Sequence, residues 1–231
     1  MVRITKSIFL LPAFLWLLGC AQLPEYARPH IVELNDGQAF QKQGFSYREL
    51  AVDDFQAPSL PKTLASHTQN IAAYSCCRIR LTKDARYKIT RGSFKGQVHY
   101  FGGIKYIAFE AVMIPDCSWL NPDIEEENID YVLQHEQIHF ALMELAAREL
   151  NRKAHKVAQD YLAIQPTYRA AREEIEAKIK QMVRSANEAV LKDHTAFDED
   201  TSLYYDPESQ QQWLERVEEQ LLKTNSEIEN N

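Results

Sequence analysis

The chain has 231 residues, 45% of them hydrophobic and 26% charged, enough for one sizeable domain and not disordered by composition. Its formal net charge of −7 argues against nucleic acid as a partner, which a basic stripe would announce. Seven Gly and nine Pro exclude a collagen-like chain, and four Cys are too few for a disulfide-built mini-fold.

Residues 1–19 read as an address. Arg3 and Lys6 form a basic start, and residues 8–18 are almost wholly apolar. That run rises only about 16 Å as a helix, against a bilayer core of about 30 Å. It is the h-region of a signal peptide rather than a spanning helix. It ends Leu17-Leu18-Gly19-Cys20, which resembles a bacterial lipoprotein signal. Such a signal is cut before the Cys, so Cys20 is the expected lipidation site. Ala21 stands where an Asp would retain the protein at the inner membrane. The resemblance therefore implies the outer membrane, facing the periplasm. Removing residues 1–19 takes Arg3 and Lys6 and moves the net charge to −9. Export also implies an oxidising compartment. A vicinal Cys76–Cys77 bridge is strained, so Cys117 is expected to pair with Cys76 or Cys77. Adjacent cysteines also lack the spacing of metal ligands.

Residues 20–44 are polar, carry Pro24 and Pro29, and read as a tether. The domain is expected over 45–222, with a disordered polar tail at 223–231. Residues 45–55 alternate loosely and predict a strand leading into a turn. Short β-branched and aromatic runs at 79–81, 87–90, 97–101 and 106–114 predict a sheet of three or four strands. Lys83-Asp84, Arg91-Gly92 and Gly102-Gly103 lie between them as turn signals. After Pro115 the period changes. Asn121-Pro122 with Asp123 and residues 125–127 signals a helix start, and the chain reads as helical from 129 to about 160. Pro166-Thr167 opens a second helix to about 193. Asp206-Pro207 caps a third, with Trp213, Leu214, Val217 and Leu221 on one stripe. A small, mainly antiparallel sheet followed by long helices is an α+β domain.

The first long helix carries the chemistry: His135-Glu136-Gln137-Ile138-His139, an H-E-x-x-H motif. Spacing i, i+4 places the two imidazoles about 40° apart on one helical face, within reach of one Zn2+. Glu136, rotated about 100° from His135, is the general base for water in such motifs. The surrounding helix is apolar on several sides, so these polar groups need partners there. A third ligand must come from elsewhere. Glu144 sits about 180° round from His135 and His155 about 24 Å along the axis from His139. His194 and Asp198, also i, i+4, are the candidates on a helix that folds back. Glu173, Glu174 and Glu188 read as a solvated face.

These residues resemble the bacterial family catalogued as domain of unknown function 922, described as secreted zinc-dependent peptidases. One block is 135–140, continuing through Glu144 and Ala147-Arg148. A second is 196–201, followed by Gln210 and Trp213 at the family's spacing. A third is 50–55 with the stretch 66–74. The resemblance implies a zincin-like core, with a peptide held against an edge strand beside the metal helix; the expected strand is 106–114. The chain departs from the family's pattern at three places. Leu203 and Tyr204 replace a His-Gly pair, Val52 replaces Trp, and Ile138 replaces Gly.

Two functions follow as expectations. One is a lipid-anchored envelope peptidase that uses Zn2+, His135, His139 and Glu136 on a peptide or protein substrate. The other, suggested by Leu203, is an inactive binding or assembly lipoprotein on the same fold.

Overall fold

The computed structural model of the protein describes residues 23–29, 44–202 and 205–229. The signal segment, Cys20, Leu203 and Tyr204 lie outside the described residues. The domain is α+β, as its sequence order predicts. Among the described residues, eight strands form three small antiparallel sheets, and three long helices pack on them.

The first sheet has β6 (Phe109–Met113) between β1 (Phe45–Ser46) and β3 (Cys77–Leu81). A second pairs β2 (Ala73–Tyr74) with β7 (Trp119–Leu120). The third is the hairpin β4 (Arg86–Phe94) and β5 (Gln97–Tyr106), extended by β8 (Leu162–Gln165). Polar residues interrupt the apolar alternation between these runs, so no single continuous sheet forms. The expected strand over 45–55 shortens to two residues, because residues 52–54 close a 3-10 turn capped by the Asp54 carboxylate on Ala51 N–H at 2.9 Å.

Arg91-Gly92 and Gly102-Gly103 are not turns. They lie inside β4 and β5, paired across the ladder. A Cβ on Gly92 would stand 2.9 Å from the Phe101 ring, and one on Gly102 would stand 2.8 Å from Ile175 Cδ1. Close approach, not reversal, selects glycine at both positions. The hairpin turns instead at Lys95-Gly96, both with positive φ (50° and 77°), the conformation a tight two-residue hairpin demands.

Helix α1 (Ile129–Asp160) crosses the domain, burying Ile138, Phe140, Ala141, Ala147 and Ala154. Asn151 fixes it to β6: its Nδ2 donates to Phe109 O at 2.8 Å and its Oδ1 accepts from Phe109 N at 2.7 Å. Gln137 Oε1 accepts from Leu50 N at 2.8 Å, so the 50–55 segment is pinned to the same helix. Helix α2 (Tyr168–Thr201) starts where the Thr167 hydroxyl accepts from Ala170 N. It runs eight residues beyond the expected end at 193, because Phe197 and Thr201 remain fully buried contacts there. Asp206 caps α3 (Pro207–Glu229), accepting from Ser209 N at 3.0 Å. Trp213, Val217 and Leu221 of the predicted stripe are buried in the main core. Helix α3 continues to Glu229, past the boundary at 222 where the sequence predicts a disordered tail. Arg148 links α1 to it, donating to Leu221 O and Thr224 Oγ1 at 2.8 Å each.

Two further expectations are refined. The disulfide joins Cys76 to Cys117, Cα–Cα 5.6 Å, and leaves Cys77 as a free thiol. The described part of the tether is not free chain. Leu23 is buried, residues 25–27 form a 3-10 turn, and Tyr26 stacks on His67 at 4.1 Å.

Candidate metal centre

Two helices each present an i, i+4 pair to the other. Helix α1 offers His135 and His139, and the C-terminal extension of α2 offers His194 and Asp198. Asp198 Oδ1 lies 3.1 Å from His135 Nε2 and 3.0 Å from His139 Nε2. The three donor atoms form one cluster. Ligands about 2.1 Å from a tetrahedral ion are separated by about 3.4 Å. The two distances to Asp198 lie slightly inside that value, and all three donors lie within 4.8 Å of one another. Of the two candidates, Asp198 is the one whose ligand atom groups with the motif histidines and could hold the third position; His194 is not in that group.

His194 has a different place. Its Nδ1 sits 2.7 Å from His139 Nδ1. Burial, with the neighbouring His139, pushes the His194 pKa down to about 3, so its ring is neutral and able to accept the His139 Nδ1–H. On the other side, His135 Nδ1 lies 3.2 Å from Gln210 Oε1. Gln210 is itself fully buried and fixed, donating to Tyr131 O at 2.9 Å and Gln134 Oε1 at 2.8 Å. Each Nδ1 thus has its own partner, which leaves both Nε2 atoms facing Asp198. Metal-binding histidines need this tautomer control. Phe197 stacks on His135 (ring centroids 4.4 Å apart) and meets His139 edge-on.

Electrostatics favour a cation. Burial opposes ionisation of Asp198, but the His139 and His135 imidazoles outweigh it and hold its carboxyl well below the usual carboxylate range. Burial likewise opposes a proton on His139, and Asp198 outweighs that and raises its pKa. Among the described residues, the two motif imidazoles are the ionisable groups paired with this carboxylate. Two nitrogens and a carboxylate oxygen suit zinc, and also suit other divalent transition metals.

Glu136 is buried at 5% exposure and lines the same cavity as the three donors. That cavity holds about 570 Å³. Residues 70–78 wall one side, and α1 and α2 form the floor. The remaining acids lie elsewhere. Glu144 pairs with Arg148 at 2.7 Å, Glu173 pairs with Arg169, Glu174 accepts from Tyr161 and Gln165, and Glu188 is exposed. His155 is exposed on α1.

The strand expected to receive a peptide is corrected. Tyr106 ends β5, and β6 pairs with β3 along its length and with β1 at Val112 and Met113, so the run 106–114 is not one edge strand. The terminal strand of that sheet is β3, and its first residues, Cys77 and Arg78, line the cavity.

In the sequence, Gln210 is marked by its spacing alone and Trp213 by its spacing and its place on the stripe of the third helix. Gln210 orients His135, and Trp213 Nε1 donates to Asp200 Oδ2 at 2.9 Å, tying α3 to the end of α2. A buried Gln on an amphipathic helix stripe is the signal that marks the first of them. No protein-family model, no curated protein and no solved structure matches the chain.

Proposed function

We propose that the protein is a zinc-dependent peptidase, held at the cell envelope by a lipid on Cys20. The observation that carries this reading is the Asp198 carboxylate, 3.0 and 3.1 Å from the Nε2 atoms of the two motif histidines. It supplies a third donor although Leu203 stands where the resembled family has His. His135, His139 and Asp198 would hold the ion, which supplies Lewis acidity toward a water and a peptide carbonyl.

The other steps belong to the chain's own residues. Glu136 takes the proton of the attacking water as the new C–O bond forms. It then delivers that proton to the amide nitrogen as the C–N bond breaks. Burial of Glu136 and the low-dielectric walls strengthen its interactions with the reacting groups. Gln210 and His194 hold the imidazoles in register and take no part in proton transfer.

The test is peptide cleavage by the full mature chain after zinc loading, compared with Glu136→Gln. Loss of a general base lowers kcat by about 10²–10⁴-fold, with zinc content unchanged. Equal turnover by the two proteins refutes the mechanism.

A further inference from the structure

The cavity beside the candidate metal centre contains a guanidinium that no carboxylate of the described residues pairs. Arg78, at the start of the terminal strand β3, lines the same cavity as Glu136 and Asp198. Its Nε is buried and has no hydrogen-bond partner. Its Nη2 reaches only the Cys76 sulfur, at 3.9 Å. No carboxylate among the described residues pairs with it, whereas Arg80, two residues along the same strand, is held by Glu110 at 2.9 Å. Buried guanidinium donors are normally paired, because desolvation without a partner is costly. The burial is enough to lower the Arg78 pKa from its ordinary value. Across the cavity on α2, Asn187 Oδ1 is a second buried polar atom with no partner. An open donor on one wall and an open acceptor on the other, over a general base, describe a site shaped for a polar chain.

We infer that Arg78 selects the substrate by binding a carboxylate, from an acidic side chain or from a free C-terminus. The inference rests on the reading of this cavity as a peptide site. A planar fork with an open Nε–H is the arrangement that takes a carboxylate bidentately. The chain's overall acidity does not oppose this, since steering at short range follows the local charge of the cleft.

The probes are N-acetylated alanine pentapeptides. One set carries Glu or Gln at each position in turn with an amidated C-terminus. The other is all alanine with a free or amidated C-terminus. Binding is measured calorimetrically to the full mature chain carrying Glu136→Gln, loaded with zinc, so that no peptide is consumed. A charge-assisted contact predicts that one acid member binds about 10–100-fold tighter than its neutral isostere. Which set shows the preference tells the side-chain source from the C-terminal one. In Arg78→Met the ratio collapses toward unity, and in Arg78→Lys, which keeps the charge and loses the fork, it falls part of the way. Equal binding of every acid and neutral pair, or a preference that survives Arg78→Met, overturns the inference. Arg78-dependent acid binding in a chain whose unsubstituted form cleaves nothing refutes the peptidase reading alone.

Discussion

Gln210 offers the sharpest perturbation of the metal centre, because it touches a ligand without being one. Its Oε1 accepts from His135 Nδ1 at 3.2 Å, and its amide nitrogen is anchored on Tyr131 O and Gln134 Oε1. Replacing it with Leu keeps the volume and removes all three bonds. His135 can then carry its proton on Nε2, the atom that faces Asp198, and this tautomer cannot bind a metal. Loss of such an orienting partner lowers metal affinity about 10–100-fold. The lost hydrogen bonds also lower stability by about 1–3 kcal/mol. Gln210→Glu keeps an acceptor toward Nδ1 and serves as the control, with zinc affinity retained relative to Gln210→Leu. The assay is competition for zinc against a chelating dye, with a thermal melt on the same samples. Unchanged zinc affinity in a folded Gln210→Leu protein would refute the argument that Nδ1 control prepares His135.

Two further predictions follow from the buried groups and the bridge. His194 is held neutral down to about pH 3, whereas in the unfolded chain it takes a proton near its ordinary pKa of about 6.5. Between those values the unfolded state binds more protons, so the metal-free protein loses stability as pH falls through that window. Denaturant melts from pH 7 to 4 should show the loss, and His194→Gln should flatten it; an equal slope in both proteins contradicts the assignment. The Cys76–Cys117 bridge spans 41 positions and contributes about 4 kcal/mol in the chain-entropy model. Reduction should lower Tm by about 8–16 °C, and the drop should persist in Cys77→Ala, which removes the free thiol; melts with and without reductant that coincide contradict the assignment.

The sequence was most legible where spacing carries geometry. The H-E-x-x-H helix, the i, i+4 pair at His194 and Asp198, the capping residues Thr167 and Asp206, and the Trp213 stripe all behave as their periodicities require. Choosing Asp198 over His194 was beyond it, since that choice depends on which of two neighbours meets the Nε2 atoms across a helix pair. Strand register was also hidden. Gly92 and Gly102 look like turn residues until Phe101 and Ile175 are seen packed against them. The end of β6 looks like an edge until two-residue β1 is found beside Val112 and Met113. Short pairings of that kind leave almost no pattern in one chain. Arg78 is the strongest example: strand periodicity sets it beside Arg80, and only the structure reveals that, among the described residues, Glu110 pairs Arg80 and no carboxylate pairs Arg78.

The central claim is that His135, His139 and Asp198 form one metal site. Zinc titration of the mature chain beside Asp198→Ala tests it most directly. The account predicts one tightly bound ion per wild-type chain, and an affinity lower by at least about 10-fold in the variant, as expected for loss of one of three protein ligands. No zinc bound by the wild type, or equal affinity in the two proteins, would contradict it.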